Sequence, residues 1–138
     1  MDDARYRSRV LEAYEDEVAG AAYFEGLSTV FADKAAFLGK CAAHERQTAE
    51  SLRALIRKYQ LRPRARSALE ERGAREAHSE TGSGWQEWRE RSIDAYARYV
   101  DDFKALEAIG PPADQPALAA LTAHEVQLIA WLRSESRA

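Results

Sequence analysis

The residues best equipped for chemistry stand in two copies of one short pattern, Ala43-His44-Glu45-Arg46-Gln47 and Ala123-His124-Glu125-Val126-Gln127, each with a leucine seven residues after the glutamate, Leu52 and Leu132. Imidazole and carboxylate are the side chains that bind transition metals and exchange protons near neutral pH. What makes this pair of strings notable is their setting. Glu45 falls on a seam with Leu38, Ala42, Ala49, Leu52 and Ile56, and Glu125 on one with Leu118, Leu121, Leu128 and Leu132. Both sets of spacings repeat every three or four residues, the signature of one face of a helix. A third carboxylate, Glu17, interrupts a similar seam of Val10, Tyr14, Ala21, Phe24, Ser28 and Phe31 at its middle.

Carboxylates drawn together in an apolar layer cannot all stay ionised without compensation, because desolvation and mutual repulsion raise their pKa values. A metal ion is one compensation, with Glu17, Glu45 and Glu125 as ligands and His44, His124 or the phenol of Tyr99 as irregular ones. Shared protons and hydrogen bonds, with the two histidines as cations and Tyr99 as donor, are the other. Each histidine precedes its glutamate by one residue, about 100° around a helix, so it borders the inner face rather than pointing along it.

The elements that must position these groups are all helices. Periodicity predicts them at 4–31, 33–60, 85–108 and 115–136, with Asp33 as the N-cap of the second. The connection around Ala32 is too short for anything but antiparallel neighbours, and Ile109-Gly110-Pro111-Pro112 stops the third helix. Between the second and third, Leu61-Arg62-Pro63 ends one helix and a charged segment at 65–77 offers a short helix of its own. Arg62, Arg64, Arg66, Arg72 and Arg75 are interleaved there with Glu70, Glu71 and Glu76, which reads as a water-facing crossover rather than an anion-binding patch. The expectation is therefore an all-α, single-domain, antiparallel four-helix bundle over residues 1–138 with one long crossover at about 60–84.

The two halves also correspond. Leu11-Glu12-Ala13-Tyr14 matches Ile93-Asp94-Ala95-Tyr96, which sets Glu17 opposite Tyr99 and predicts that Glu17, Glu45, Tyr99 and Glu125 share one buried central layer. In helix order, and in the run Tyr14-Glu15-Asp16-Glu17-Val18-Ala19-Gly20-Ala21-Ala22-Tyr23-Phe24, the chain resembles the ferritin-like superfamily, including rubrerythrin-type proteins. That resemblance implies two iron or manganese ions, held by a Glu from the first helix and a Glu-x-x-His from the second helix of each half. Glu17, Glu45 and Glu125 match ligand positions. Tyr99 stands where the third helix should give a Glu, and Thr48 and Leu128 stand where the two histidines should be, so a six-ligand di-metal site is absent.

Two readings of function follow. One is a ferritin-like bundle whose di-metal site is altered or lost; the other is an iron- or manganese-dependent oxidase, peroxidase or oxygenase. The 138 residues are long enough to bury one core, and a net charge of −3 argues against a nucleic-acid partner. The single cysteine, Cys41, and the lack of an apolar leader or membrane-length run lead to the expectation of a cytoplasmic protein. Trp85, Trp88 and Trp131 face either the core or a homodimer interface, the partner expected here.

Overall fold

The computed structural model describes residues 3–135. It holds five α-helices, α1 (Asp3–Val30), α2 (Ala35–Lys58), α3 (Arg66–His78), α4 (Trp85–Ile109) and α5 (Gln115–Ser134), and no strand among the described residues. The expected end of the last helix at 136 lies outside the described residues. The chain divides into two compact units, one running to Gly82 and the other from Ser83.

In the first unit α1 and α2 form an antiparallel hairpin. Its far end is fixed by an edge-on contact of Tyr6 with Tyr59, ring centroids 5.9 Å apart, and the Arg7 guanidinium lies over the same Tyr59 ring. The turn is made by Phe31 and a 3-10 helix, Ala32–Lys34. Asp33 sits inside that turn, and α2 begins from Lys34 without a side-chain cap, so the expected N-cap is displaced: the chain tightens by a 3-10 turn before its α-helical bonds begin. The buried side of α1 includes Tyr6, Val10, Phe24 and Leu27, and that of α2 Leu38, Cys41, Leu52 and Leu55. Each fully buried leucine contributes about 2 kcal/mol of transfer free energy.

α2 ends in a chain reversal. Gln60 takes a left-handed conformation, φ 54°, and Leu61 donates its N–H back to the carbonyl of Ile56 at 2.9 Å, which satisfies a carbonyl of the last turn. Pro63 then prevents any continuation.

The crossover is more than a solvated link. Within it α3 presents Leu69, Gly73 and Ala77, spaced four apart and buried, while its charged residues are exposed except Arg72, which is half-buried and pairs with Asp16 of α1. That stripe lies on α1: a Cβ on Gly73 would collide with the carbonyl of Ala19 and stand 2.8 Å from the amide nitrogen of Tyr23, and a Cβ on Gly26 would come within 2.6 Å of the Ala77 methyl. Contact levels rise together along the two helices, from Asp16 with Arg72 to Gly26 with Ala77, so α3 runs parallel to α1. α1 is thereby covered by α2 and by α3, which accounts for its buried positions extending beyond one seam to Ala13 and Ala19.

The second unit is an antiparallel hairpin of α4 and α5. Its turn, a 3-10 helix at Pro112–Asp114, is tied by Gln115, whose amide nitrogen donates to the carbonyls of Glu107 at 2.8 Å and Gly110 at 2.9 Å. At the other end Arg89, 5% exposed, donates to the carbonyls of Leu132 and Arg133, both at 2.6 Å. These are C-terminal carbonyls of α5 that have no partner within the helix, and a cation is favoured at that end of the dipole.

Candidate functional site

Glu17 and Glu45 lie in the first unit, on α1 and α2. Both are buried, 5% and 6% exposed. They are inside because the hairpin requires the faces that carry them to meet, as the three-and-four spacing around each residue predicts. Room for Glu45 comes from the facing helix: its Oε2 lies 3.3 Å from where a Cβ on Gly20 would stand. Counting inward along the antiparallel pair from the Tyr6–Tyr59 and Gly20–Glu45 contacts brings Glu17 level with Thr48. Thr48 is almost fully buried, and its hydroxyl donates to the carbonyl of His44 at 2.8 Å. That bond turns the hydroxyl proton along its own helix, a common arrangement for a mid-helix threonine.

Glu125 lies in the second unit, on α5, and is 6% exposed. Its Oε1 is buried without a hydrogen-bond partner, and burial pushes its pKa up from 4.5 to about 7. The shift has one cause, the loss of hydration of the charged form. Leu128, one turn further on and 1% exposed, packs where a ligand histidine would be needed.

The repeated strings are buried alike. Residue by residue, 41–50 and 121–130 show the same succession of buried, half-buried and exposed positions, with His44 and His124 half-buried and Glu45 and Glu125 buried. The correspondence seen in the sequence of α2 and α5 thus extends to how each helix is covered. It fails for α1 and α4. Tyr99, expected in a buried central layer, is 47% exposed, and its ring lies against that of Tyr96 at 5.7 Å. The buried residues of α4 are Trp88, Arg89, Ser92, Val100 and Leu106, so the apolar stripe passes through Val100 and leaves Tyr99 about 100° to one side.

Iron and manganese sites of carboxylate type need several oxygen and imidazole donors converging on one point. Within neither unit do the described residues gather three or more His, Cys, Asp or Glu side chains in a position to hold a metal ion. The first unit offers two buried carboxylates, Glu17 and Glu45, and the second offers Glu125 on α5 and Asp114 in the α4–α5 turn. With Leu128 and exposed Tyr99 in the remaining positions, the residues within each unit do not fit a metal pair.

Two functional-looking residues escape sequence reasoning. Arg89 reads as one charge among the many on α4, although its place beside Trp88 on the inner seam is a signal that it must be paired. Gly73 reads as a weak point in a short polar helix. The signal there was the four-residue spacing of Leu69, Gly73 and Ala77, matched by the small residues Ala19, Ala22 and Gly26 on α1.

Against family models, curated proteins and solved structures alike, the chain finds no match.

Proposed function

We propose that this chain is a ferritin-like helical bundle protein that has lost its di-metal centre, its inner carboxylates holding protons where a metal-bearing relative would hold iron or manganese. On this reading the four long helices α1, α2, α4 and α5 carry the bundle and the protein serves as a structural or interaction module, with a homodimer as its assembly. The observation that carries the reading is Glu125: a buried carboxyl group with an unpartnered oxygen and a pKa near 7 is substantially protonated at neutral pH, and it faces no imidazole at position 128. The same burial pattern around Glu45 and Glu125 supports the kinship of the two halves.

The rival reading is an iron- or manganese-dependent oxidase, peroxidase or oxygenase, and it draws on the same orphaned oxygen, since a buried acceptor with no donor is also what a metal ligand looks like alone. It requires Glu17, Glu45 and Glu125 to share a centre. Metal analysis of protein purified without chelator separates the two. Less than one-tenth of an equivalent of iron plus manganese, unchanged in Glu17→Gln, is the expected result. A stoichiometric metal that disappears in Glu17→Gln together with thermal stability would overturn the proposal, because ligand loss forfeits binding free energy that stabilises the fold.

A further inference from the structure

We propose that the far end of the α1–α2 hairpin docks the first unit onto an anionic phospholipid surface. The cations concerned fall in two separate stretches of sequence, 3–9 and 53–62, and the fold joins them. Tyr6 packs edge-on against Tyr59, and Arg7 from α1 and Lys58 from α2 both lie over the Tyr59 ring, 5.4 and 5.2 Å from its centroid. The reversal after α2 adds Arg62, because Leu61 is held against the last turn by its bond to the carbonyl of Ile56.

These two stretches carry seven arginines and lysines and one acid, Asp3, whereas residues 10–52 and 63–82 carry seven arginines and lysines and twelve aspartates and glutamates. The end of the hairpin is thus +6 and the remainder of the first unit −5, a separation that the net charge of −3 averages away. Arg5, Arg7, Arg53, Arg57, Lys58 and Arg62 are exposed and Arg9 is half-buried. Arg53 faces Glu50 at 3.6 Å, an exposed pair that leaves both groups open to solvent. Further along α1 the patch gives way to a mixed belt. There Glu15 accepts the N–H of Arg64 and Asp16 pairs with Arg72, so those arginines stand outside it.

The arrangement favours a plane over a strand. Tyr6 is buried and Tyr59 lies beneath two cations, so the end offers no open ring on which a nucleobase would stack. The 24 residues of α2 set the other end of the hairpin about 36 Å away, several times the Debye length of about 8 Å at physiological salt. A flat anionic surface therefore meets the basic end while most of the negative remainder of the unit stands outside its field. Among the described residues the exposed large hydrophobic side chains are Tyr99 and Val126, both in the second unit, so the basic end adsorbs by charge and inserts nothing. This inference is independent of Glu17, Glu45 and Glu125.

The test is co-sedimentation of the full chain at low salt with vesicles of phosphatidylcholine alone and of phosphatidylcholine mixed with phosphatidylglycerol, alongside binding to a single-stranded oligonucleotide. Wild-type protein is expected on the mixed vesicles, not on phosphatidylcholine, and to be released by high salt. Arg57→Gln/Arg62→Gln and Arg7→Gln/Arg9→Gln should each weaken vesicle binding about tenfold or more, since each cation near an anionic surface contributes about fivefold. Lys40→Gln/Arg75→Gln removes the same charge elsewhere in the unit and should change binding less than threefold. Arg57 and Arg62 are exposed, so their variant should melt within about 2 °C of wild type, which serves as the folding control. Absence of binding to the mixed vesicles, equal losses in the Lys40/Arg75 and Arg57/Arg62 variants, or an oligonucleotide that stays bound at higher salt than the vesicles would each overturn the assignment.

Discussion

Gly73 lies so close to Ala19 that no side chain fits between α3 and the backbone of α1: a Cβ at 73 would meet the Ala19 carbonyl, the Tyr23 amide and the Ala22 methyl. The obstacle is main chain, which cannot swing aside as a flexible side chain would. Gly73→Ala is therefore expected to cost about 3 kcal/mol, the upper end for overpacking, despite alanine's better helix propensity. Urea unfolding checks the loss, and limited proteolysis around residue 65 should become faster as α3 lifts away. A stability equal to wild type would mean that α3 does not sit where described.

Arg89 is expected to be worth far more than a surface arginine. Arg89→Met keeps much of the volume but strands the carbonyls of Leu132 and Arg133, for a loss of about 3 kcal/mol. Arg89→Lys should recover less than half of that, because one ammonium cannot reproduce the two donations from Nε and Nη2. Thermal unfolding followed by circular dichroism distinguishes the three proteins, and a methionine variant within 0.5 kcal/mol of wild type would contradict the capping role.

Glu125 gives stability a pH dependence of definite sign. Its folded pKa, about 7, exceeds the ordinary value of 4.5, so between those values the folded protein binds more protons than the unfolded chain. Its contribution is fully favourable below about pH 4.5 and is lost as pH rises through 7, a swing of about 3 kcal/mol. Glu125→Gln should flatten that part of the profile and be the more stable protein at pH 8, as judged by denaturant midpoints measured across pH 4.5–8.5. A wild-type protein that instead gains stability over that range, and loses it in Glu125→Gln, would indicate a bound cation rather than a proton.

The helices were legible because burial of one face imposes a three-and-four period on the sequence, and the seams through Glu17, Glu45 and Glu125 led directly to three buried carboxylates. Tyr99 was misplaced because a one-residue shift turns a helix by 100°: the alignment of 11–14 with 93–96 set the level, while the stripe actually runs through Val100. The depth of α3's packing was hidden for a different reason. Its contact surface is glycine and alanine, which carry little hydrophobic signal, and its arginines and glutamates dominate any reading of composition. The pairing of Arg89 depends on where α5 ends in space, which the local pattern around residue 89 does not encode.

Cys41, the only sulfur nucleophile in the chain, has no exposed surface and sits on the buried face of α2. A thiol reacts as its thiolate and only with reagents that reach it, so the folded hairpin is chemically silent toward alkylation. Each labelling event then records a moment at which α2 has come away from its surroundings. The rate of modification under native conditions accordingly reads the free energy of that opening, and does so at a single natural position without any engineered probe.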